Sequence, residues 1–142
     1  MVNLFIRIVK SSFSMPIWVQ IWIYCVLIPA NFSGLFLLQY TSGFWIAVLG
    51  AGAICINMLI LLLNGGFSKV LAIPHLVLWI PLECILLYRY FVVPDLSAFE
   101  YLYILIVVII NGVSIIFDVY DTKEWFYGNR DVVGFPGEPV KL

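Results

Sequence analysis

The sequence predicts an all-α membrane protein in which four antiparallel transmembrane helices form a small bundle. Of the 142 residues, 64% are hydrophobic and only 11% are charged, and the mean hydropathy is +1.11. Soluble proteins contain roughly 45–50% apolar and about 25% charged residues, so a soluble domain of this size would leave much apolar surface in water. In a bilayer, each segment must satisfy its own backbone hydrogen bonds, which favours helices.

Four apolar segments each have close to the roughly 20 residues that a spanning helix needs. The connectors QYTSG, NGGFSK and VPDLSA separate them, and each contains residues that are typical of turns. Because the connectors are short, we expect neighbouring helices to run antiparallel. The predicted spans are 16–38, 44–63, 70–93 and 99–119, within a transmembrane domain of residues 15–120.

The segments on either side of this domain have a different composition. Residues 1–14 place Leu4, Phe5 and Ile8 on one helical face and Arg7 opposite, which predicts a short amphipathic helix at the membrane interface. Residues 121–142 are more polar and predict a cytoplasmic tail. In this tail the last helix is expected to continue to Gly128, and an irregular segment rich in Gly and Pro follows.

The distribution of Lys and Arg predicts the orientation. Six of the seven cations lie before the first span, between the second and third, or after the fourth, and only Arg89 lies on the other side. The positive-inside rule then places both termini in the cytoplasm and the protein in the plasma (inner) membrane. We expect Arg89 to reach the surface and to pair with Asp95 or Glu100. A signal peptide cleaved after Ala30 is an alternative, but the apolar character continues through GLFLL beyond it.

The few polar residues within the spans share helical faces. They recur at alternating spacings of three and four residues, which is the seam pattern of a left-handed helical bundle. The fourth span is the clearest case, because Glu100, Asn111 and Asp118 all follow this spacing. We therefore predict an inward polar seam. Its candidate residues are Glu83, His75, Asn111, Asn57, Asn31, Gln20, Ser114 and Asp118.

The third span carries an acid, a histidine and two prolines within an apolar run. At ~100° per residue, His75, Trp79 and Glu83 fall in one sector of the helix. Pro74 and Pro81 lie roughly opposite. Each proline lacks the N–H that a helical hydrogen bond needs, which predicts a helix kink at these positions, chiefly near Pro81.

Glu83 is the residue that most strongly suggests chemistry. An ionised carboxylate in hydrocarbon costs at least a few kcal/mol, so we expect it to be protonated, paired or in contact with a wet cavity. It would handle protons or cations, or else lock the packing of the helices, and the sequence leaves both open. His75 is expected to be a neutral imidazole that bonds Asn57, Ser114 or a carbonyl freed by proline, with a proton relay as the alternative.

Several classes of function lack the residues that they need. The single histidine is too little for bis-histidine haem ligation or a membrane di-iron cluster. The sequence has no phosphate-binding loop, no zinc spacing and no Ser-His-Asp set, and no basic patch favours nucleic acid. We therefore expect no enzyme activity, no cofactor or metal, and no nucleic-acid partner.

In length and number of spans the chain is similar to the small multidrug-resistance transporters, which also use one membrane-embedded glutamate. Their glutamate lies in the first span. Here the first span holds Gln20 and Asn31, and the acid Glu83 lies in the third. The resemblance therefore assigns no role to any residue of this chain.

The leading hypothesis is an oligomeric channel or transporter that passes protons, a cation or a small polar solute along the polar seam. Four helices enclose little volume, so a homo-oligomer is expected in the lipid bilayer. The alternative is a non-catalytic accessory or assembly subunit of a larger membrane complex. In that case the polar groups would specify helix packing, and the aromatic segment EWFYGNRDVVG would dock onto other membrane subunits.

Overall fold

Helices make up most of the protein. The computed structural model describes residues 2–140, and Lys141, one of the cations used to predict the orientation, lies outside this range. A first helix, α1, comprises Val2–Phe13. Four longer helices are each long and apolar enough to cross a membrane, which confirms the predicted number of spans. They are α2 (Ile17–Phe36), α3 (Thr41–Asn64), α4 (Lys69–Val92) and α5 (Ala98–Phe126).

Local sequence signals set the ends of these helices. Ser97 caps α5, since its hydroxyl accepts a hydrogen bond from the backbone N–H of Glu100 at 3.1 Å and so satisfies a free donor of the first turn. Gly65 ends α3 with a φ of 69°, a left-handed conformation that glycine adopts without strain. Pro16 directly precedes α2, where the helix requires no N–H from it.

Two stretches of the spans are π-helical, although the sequence predicted regular α-helices. Trp22–Leu27 in α2 and Ile46–Ala51 in α3 have π-helical hydrogen bonding. Such stretches are rare and are frequently found at functional sites. Both lie beside the polar side chains of the candidate site, because Trp22 and Gly50 each take part in its hydrogen bonds.

The two prolines of α4 occupy different environments. The helix opens with a 3₁₀ turn at Lys69–Leu71, and its α-helical part begins at Ala72. Pro74 therefore lies in the first α-helical turn, where a missing N–H breaks no bond of that segment. This removes the reason to expect a kink at Pro74. Pro81 lies inside the α-helix, which continues through it to Val92, and a kink there stays a prediction.

The pair formed by α4 and α5 is at the centre of the bundle. The two helices run antiparallel, because Tyr90 packs against Tyr101 near one end and His75 contacts Asp118 near the other. Large apolar side chains elsewhere on the spans are exposed, as expected for a surface that faces lipid. The core consists mainly of Leu27, Ile46, Ala53, Trp79, Leu82, Leu86, Tyr103, Ile104 and Val107.

The C-terminal segment differs from the irregular tail that the sequence predicted. Asp131–Val132 (β1) pairs antiparallel with Phe135–Pro139 (β2). The turn between them contains Gly134 with a φ of 82°, which glycine allows. A dense run of Gly and Pro is therefore compatible with a short hairpin.

This hairpin packs onto α1 and onto the connection between α3 and α4. The backbone N–H of Val133 donates to the carbonyl of Phe67 at 2.8 Å. Arg7 of α1 forms an ion pair with Glu138 at 2.6 Å, and the Ser11 hydroxyl accepts a hydrogen bond from the N–H of Phe67 at 2.9 Å. The two terminal segments therefore lie together at one end of the bundle, which we call the proximal end.

α2 and α3 approach each other most closely at a glycine. A Cβ added to Gly34 would lie 2.5 Å from the backbone N of Ala47 and 2.7 Å from the carbonyl O of Gly43. Both are backbone atoms, which cannot move aside as a flexible side chain can. Small residues let membrane helices pack at short distance, and Gly34 has this role here.

Gly34→Ala is expected to destabilise the protein by about 1–3 kcal/mol, as overpacking generally does. Gly52→Ala is the matched control, because a Cβ there meets nothing within 4 Å and alanine is the better helix former by about 0.5–1 kcal/mol. Thermal unfolding in detergent measures both effects. Equal midpoints for the two variants would contradict the close packing of α2 on α3.

Candidate functional site

Three groups of polar side chains, together with single bonds such as that between Ser33 and Tyr103, link the helices inside the bundle. Each group joins residues from at least two of the spanning helices through hydrogen bonds. We call them the distal triad, the amide pair and the histidine chain. The distal triad is Ser42, Arg89 and Glu100; the amide pair is Asn31 and Asn111; the histidine chain is Asn57, His75 and Asp118.

The distal triad lies at the end of the bundle away from the hairpin and joins α3, α4 and α5. Arg89 donates from Nη2 to Glu100 Oε1 at 2.9 Å and from Nε to Ser42 Oγ at 2.8 Å. The Ser42 hydroxyl in turn donates to Glu100 Oε1 at 2.6 Å. Glu100 is 6% exposed and Ser42 is fully buried. The charge of Arg89 is therefore paired with a carboxylate, and the Ser42 hydroxyl both accepts and donates a hydrogen bond.

The triad gives Arg89 one of its two predicted partners. Arg89 pairs with Glu100, and its side chain is 16% exposed whereas that of Glu100 is 8% exposed, so the guanidinium lies at the edge of the bundle. Glu100 lies on the inward stripe of α5, so a basic side chain at the end of α4 finds its partner between the helices. Spacing alone did not identify Ser42, which stands in the first turn of α3 and completes the group.

The amide pair links α2 to α5 in the middle of the bundle. Asn31 Nδ2 donates to Asn111 Oδ1 at 2.8 Å, and Asn111 Nδ2 donates to Asn31 Oδ1 at 3.1 Å. The other hydrogen of Asn31 Nδ2 goes to the carbonyl of Leu27 at 3.1 Å. Both asparagines are fully buried. Reciprocal bonds of this kind set the register of two membrane helices.

Glu83, which we predicted at the centre of the seam, does not join this pair. Asn31 and Asn111 use their amides on each other, and neither bonds to Glu83. The carboxyl group is half-buried on α4, and its Oε1 has no hydrogen-bond partner among residues 2–140. Its role as a proton- or cation-handling acid stays a prediction.

The histidine chain runs across α3, α4 and α5 on the proximal side of the bundle. Asn57 Nδ2 lies 2.8 Å from the carbonyl O of Leu71 and 2.7 Å from His75 Nε2. His75 Nδ1 lies 3.1 Å from Asp118 Oδ2. The imidazole is stacked on the indole of Trp79, with ring centroids 3.8 Å apart. The stack and the two hydrogen bonds fix the orientation of the ring.

These contacts determine where the proton of His75 lies. The carbonyl of Leu71 can only accept, so the Asn57 atom that faces it must be the amide nitrogen, which donates. The second hydrogen of that nitrogen then points to His75 Nε2, which must accept. The ring proton is left on Nδ1 and is donated to Asp118. The chain therefore favours a neutral imidazole held by a carboxylate, and Asn57 Oδ1 is left buried without a partner among residues 2–140.

A cavity of about 600 Å³ opens beside the histidine chain. All five helices contribute to its walls, and Val133 of the hairpin lies at its edge. Most of the wall is apolar, and the polar side chains are concentrated on α3, α4 and α5. The polar and charged residues that line it include Asn57, Lys69, His75, Ser114, Asp118 and Asp121.

Four of the eight predicted seam residues thus meet at this cavity, and the others lie elsewhere. Ser114 accepts a hydrogen bond from Trp22 Nε1 at 3.0 Å, a partner that the sequence did not suggest. Gln20 donates instead to the carbonyl of Met15 at 2.9 Å and stays apart from the histidine chain. Gln20 lies on the stripe of α2 that was predicted for the seam, but it bonds to Met15, just before the start of the same helix.

Apolar layers separate the three polar groups. Trp79 is fully buried between the histidine chain and the rest of the core, and its indole N–H donates to the carbonyl of Gly50 at 3.2 Å. Between Glu100 and Asn111 on the inward face of α5 lie Ile104 and Val107, which are 0% and 1% exposed. The cavity is therefore closed toward the distal triad by tightly packed apolar side chains.

The chemistry that these residues support is hydrogen bonding and proton transfer. Among residues 2–140, no three His, Cys, Asp or Glu side chains are grouped so that they could hold a metal ion. His75 Nδ1 donates its proton to the carboxylate of Asp118 in a hydrogen bond of 3.1 Å. The site can therefore bind a polar group and exchange a proton with it.

Glu100→Leu is expected to destabilise the bundle by about 1–3 kcal/mol, because it removes the hydrogen-bonded counter-charge of the partly buried Arg89. Thermal unfolding in detergent measures the loss. The double variant Arg89→Met with Glu100→Leu is the control, since replacing both charges by apolar groups is often neutral. If the double variant is as unstable as the single one, the pairing of Arg89 with Glu100 is not the source of the effect.

Comparisons with known protein families, with curated proteins and with solved structures give no match to this chain.

Proposed function

We propose that this protein is a small multi-pass membrane carrier that moves a proton, a cation or a small polar solute through the cavity beside His75. Four apolar helices of spanning length support the membrane part of the proposal. The observation that carries it is the convergence of Asn57, His75, Ser114 and Asp118 from three helices on one cavity. A histidine hydrogen-bonded to a carboxylate is a common arrangement for relaying protons.

A carrier fits the packing better than an open channel does. Buried Ile104 and Val107 fill the space between the amide pair and the distal triad, so passage requires a change of conformation. The ion pair of Arg89 with Glu100 joins α4 to α5 at the distal end and would have to open and close in each cycle. Such opening of one end of a bundle around a central site is a common mode of alternating access.

We further propose that the cavity opens toward the cytoplasm of a cell with an inner membrane, where both termini lie. Five cations support this orientation, because they belong to the proximal segments or to the end of α5, and the positive-inside rule favours cytoplasmic Lys and Arg. Extensive exposed apolar surface on the spans leaves room for further copies, so a homo-oligomer remains our proposal. The five cations are Arg7, Lys10, Lys69, Lys123 and Arg130.

The alternative function is an accessory or assembly subunit of a larger membrane complex. It is favoured by the amide pair and the distal triad, whose polar groups bond to each other within the chain and need no transported solute. Phe126 and Tyr127 are strongly exposed at the end of α5, where a partner subunit could contact them. In this function the histidine chain would only hold three helices together.

Asp118→Asn is expected to abolish proton or monovalent-cation flux in proteoliposomes, because it removes the carboxylate that holds the proton of His75. An entrapped pH-sensitive dye reports proton flux, and potassium- and sodium-sensitive dyes report cation flux, under imposed gradients and membrane potentials. Asp95→Asn is the matched control, since Asp95 lies exposed in the connection between α4 and α5 and should keep the wild-type rate.

Two results would contradict transport. One is a wild-type rate no higher than that of protein-free vesicles under every gradient tested. The other is equal flux in the wild type and in Asp118→Asn, which would separate any transport from the cavity. Absent flux together with co-purification of other membrane subunits would favour the accessory role.

A further inference from the structure

We infer that the cavity beside the histidine chain binds an amphiphile whose head group carries a protonated primary amine. The inference deepens the proposed function and rests on it only in using the same cavity. It follows from the size of the cavity, from the hydrogen-bond donors and acceptors that line it, and from the charge of its lining residues.

The size and the walls of the cavity fit an apolar chain. Its volume of about 600 Å³ lies within the range of ~300–1,000 Å³ that is typical of pockets for small organic ligands. Most of the lining side chains are apolar and come from α1, α2 and α3, whereas the polar ones come chiefly from α3, α4 and α5. The apolar lining residues include Phe5, Ile8, Trp18, Ile23, Met58 and Leu61.

The polar side of the cavity offers acceptors and few donors. Asn57 uses both hydrogens of Nδ2, on Leu71 and on His75, while its Oδ1 is buried and has no partner among residues 2–140. The N–H of Trp22 is donated to Ser114. The oxygens of Ser114, Asp118 and Asp121 also line this cavity, so a ligand that supplies N–H donors finds acceptors there and a ligand with only acceptors does not.

The charge of the cavity favours a cation. With His75 neutral, the lining residues comprise one cation, Lys69, and two carboxylates, Asp118 and Asp121. Lys69 is already engaged, 3.9 Å from Asp121 and 3.4 Å from Glu124. The excess carboxylate therefore attracts a positive head group and opposes an anionic one. A primary ammonium combines a positive charge with N–H donors, which the acceptor atoms on the polar side of the cavity can bind.

Saturable binding of tritiated dodecylamine to the full chain in phosphatidylcholine nanodiscs tests the inference. Three competitors with the same tail separate its parts: unlabelled dodecylamine has charge and N–H donors, dodecyltrimethylammonium has charge alone, and dodecyl sulfate is an anion. We expect binding above that of protein-free nanodiscs, with dodecylamine competing at least about tenfold better than either of the others.

Asn57→Leu and Asp118→Asn are expected to weaken dodecylamine binding by about tenfold or more, and Asp95→Asn should leave it unchanged. Asp118→Asn preserves the shape of the side chain, so it serves as the second variant if Asn57→Leu does not fold. Thermal unfolding of each variant shows whether the bundle is intact. The comparison of head groups on the wild type does not depend on any variant.

The same chemistry is available from a bilayer lipid, because phosphatidylethanolamine carries a primary ammonium. If that lipid is the natural occupant, adding it to the nanodiscs will reduce dodecylamine binding, and it will co-purify with the protein. If the occupant is a free amphiphilic amine, the lipid will not compete. Either result keeps the assignment of a primary amine and identifies its source.

The inference is overturned if dodecylamine shows no saturable binding, or if all three competitors act equally, which would leave only an apolar cavity. Better competition by dodecyl sulfate would also overturn it. Amine binding without flux in proteoliposomes would contradict transport alone, whereas proton or cation flux without amine binding would contradict this inference alone.

Discussion

Polar groups between membrane helices must find their partners within the protein, because the hydrocarbon offers none, and α5 provides most of these partners. Glu100 binds Arg89 of α4 and Ser42 of α3. Asn111 binds Asn31 of α2, and Asp118 binds His75 of α4. One stripe on one helix is therefore bonded to each of the other three spans, and the arrangement of the bundle follows from it.

The spacing of that stripe also explains why the polar groups are separate. Ile104 and Val107 occupy the inward positions between Glu100 and Asn111. Their buried side chains form an apolar layer that separates the distal triad from the amide pair. On the proximal side, Ser114 and Asp118 instead border the cavity. The bundle is thus tightly packed toward the distal end and has a cavity toward the proximal end.

The sequence predicted the helices and the inward face of α5 because both depend on local periodicity. It also predicted that His75 and Asn57 lie close together, because their depths in the membrane could be estimated from the rise of an ideal helix. It did not predict that Ser42 would join Arg89 and Glu100 or that Glu83 would remain apart from the asparagines. Those outcomes depend on how each helix is rotated against its neighbours, which spacing along a single helix does not determine.

The π-helical stretches and the C-terminal hairpin were missed for a related reason. The π-helical stretch of α3 contains Gly50, whose carbonyl accepts the indole N–H of Trp79 from another helix. The hairpin is held by Phe67 and Arg7, which are distant in sequence. In both cases the local structure is accompanied by a contact with a distant part of the chain. Composition alone predicted a regular helix in the first case and an irregular tail in the second.

The central claim is that the cavity is reachable from the cytoplasm and closed toward the other side. Thiol accessibility tests it directly, in a background where the exposed Cys25, Cys55 and Cys84 are replaced by alanine. A membrane-impermeant reagent should modify Ser114→Cys only from the cytoplasmic face, and Val107→Cys from neither face. Modification of Val107→Cys, or of Ser114→Cys from the opposite face, would contradict the account, as would a Ser114→Cys thiol that never reacts.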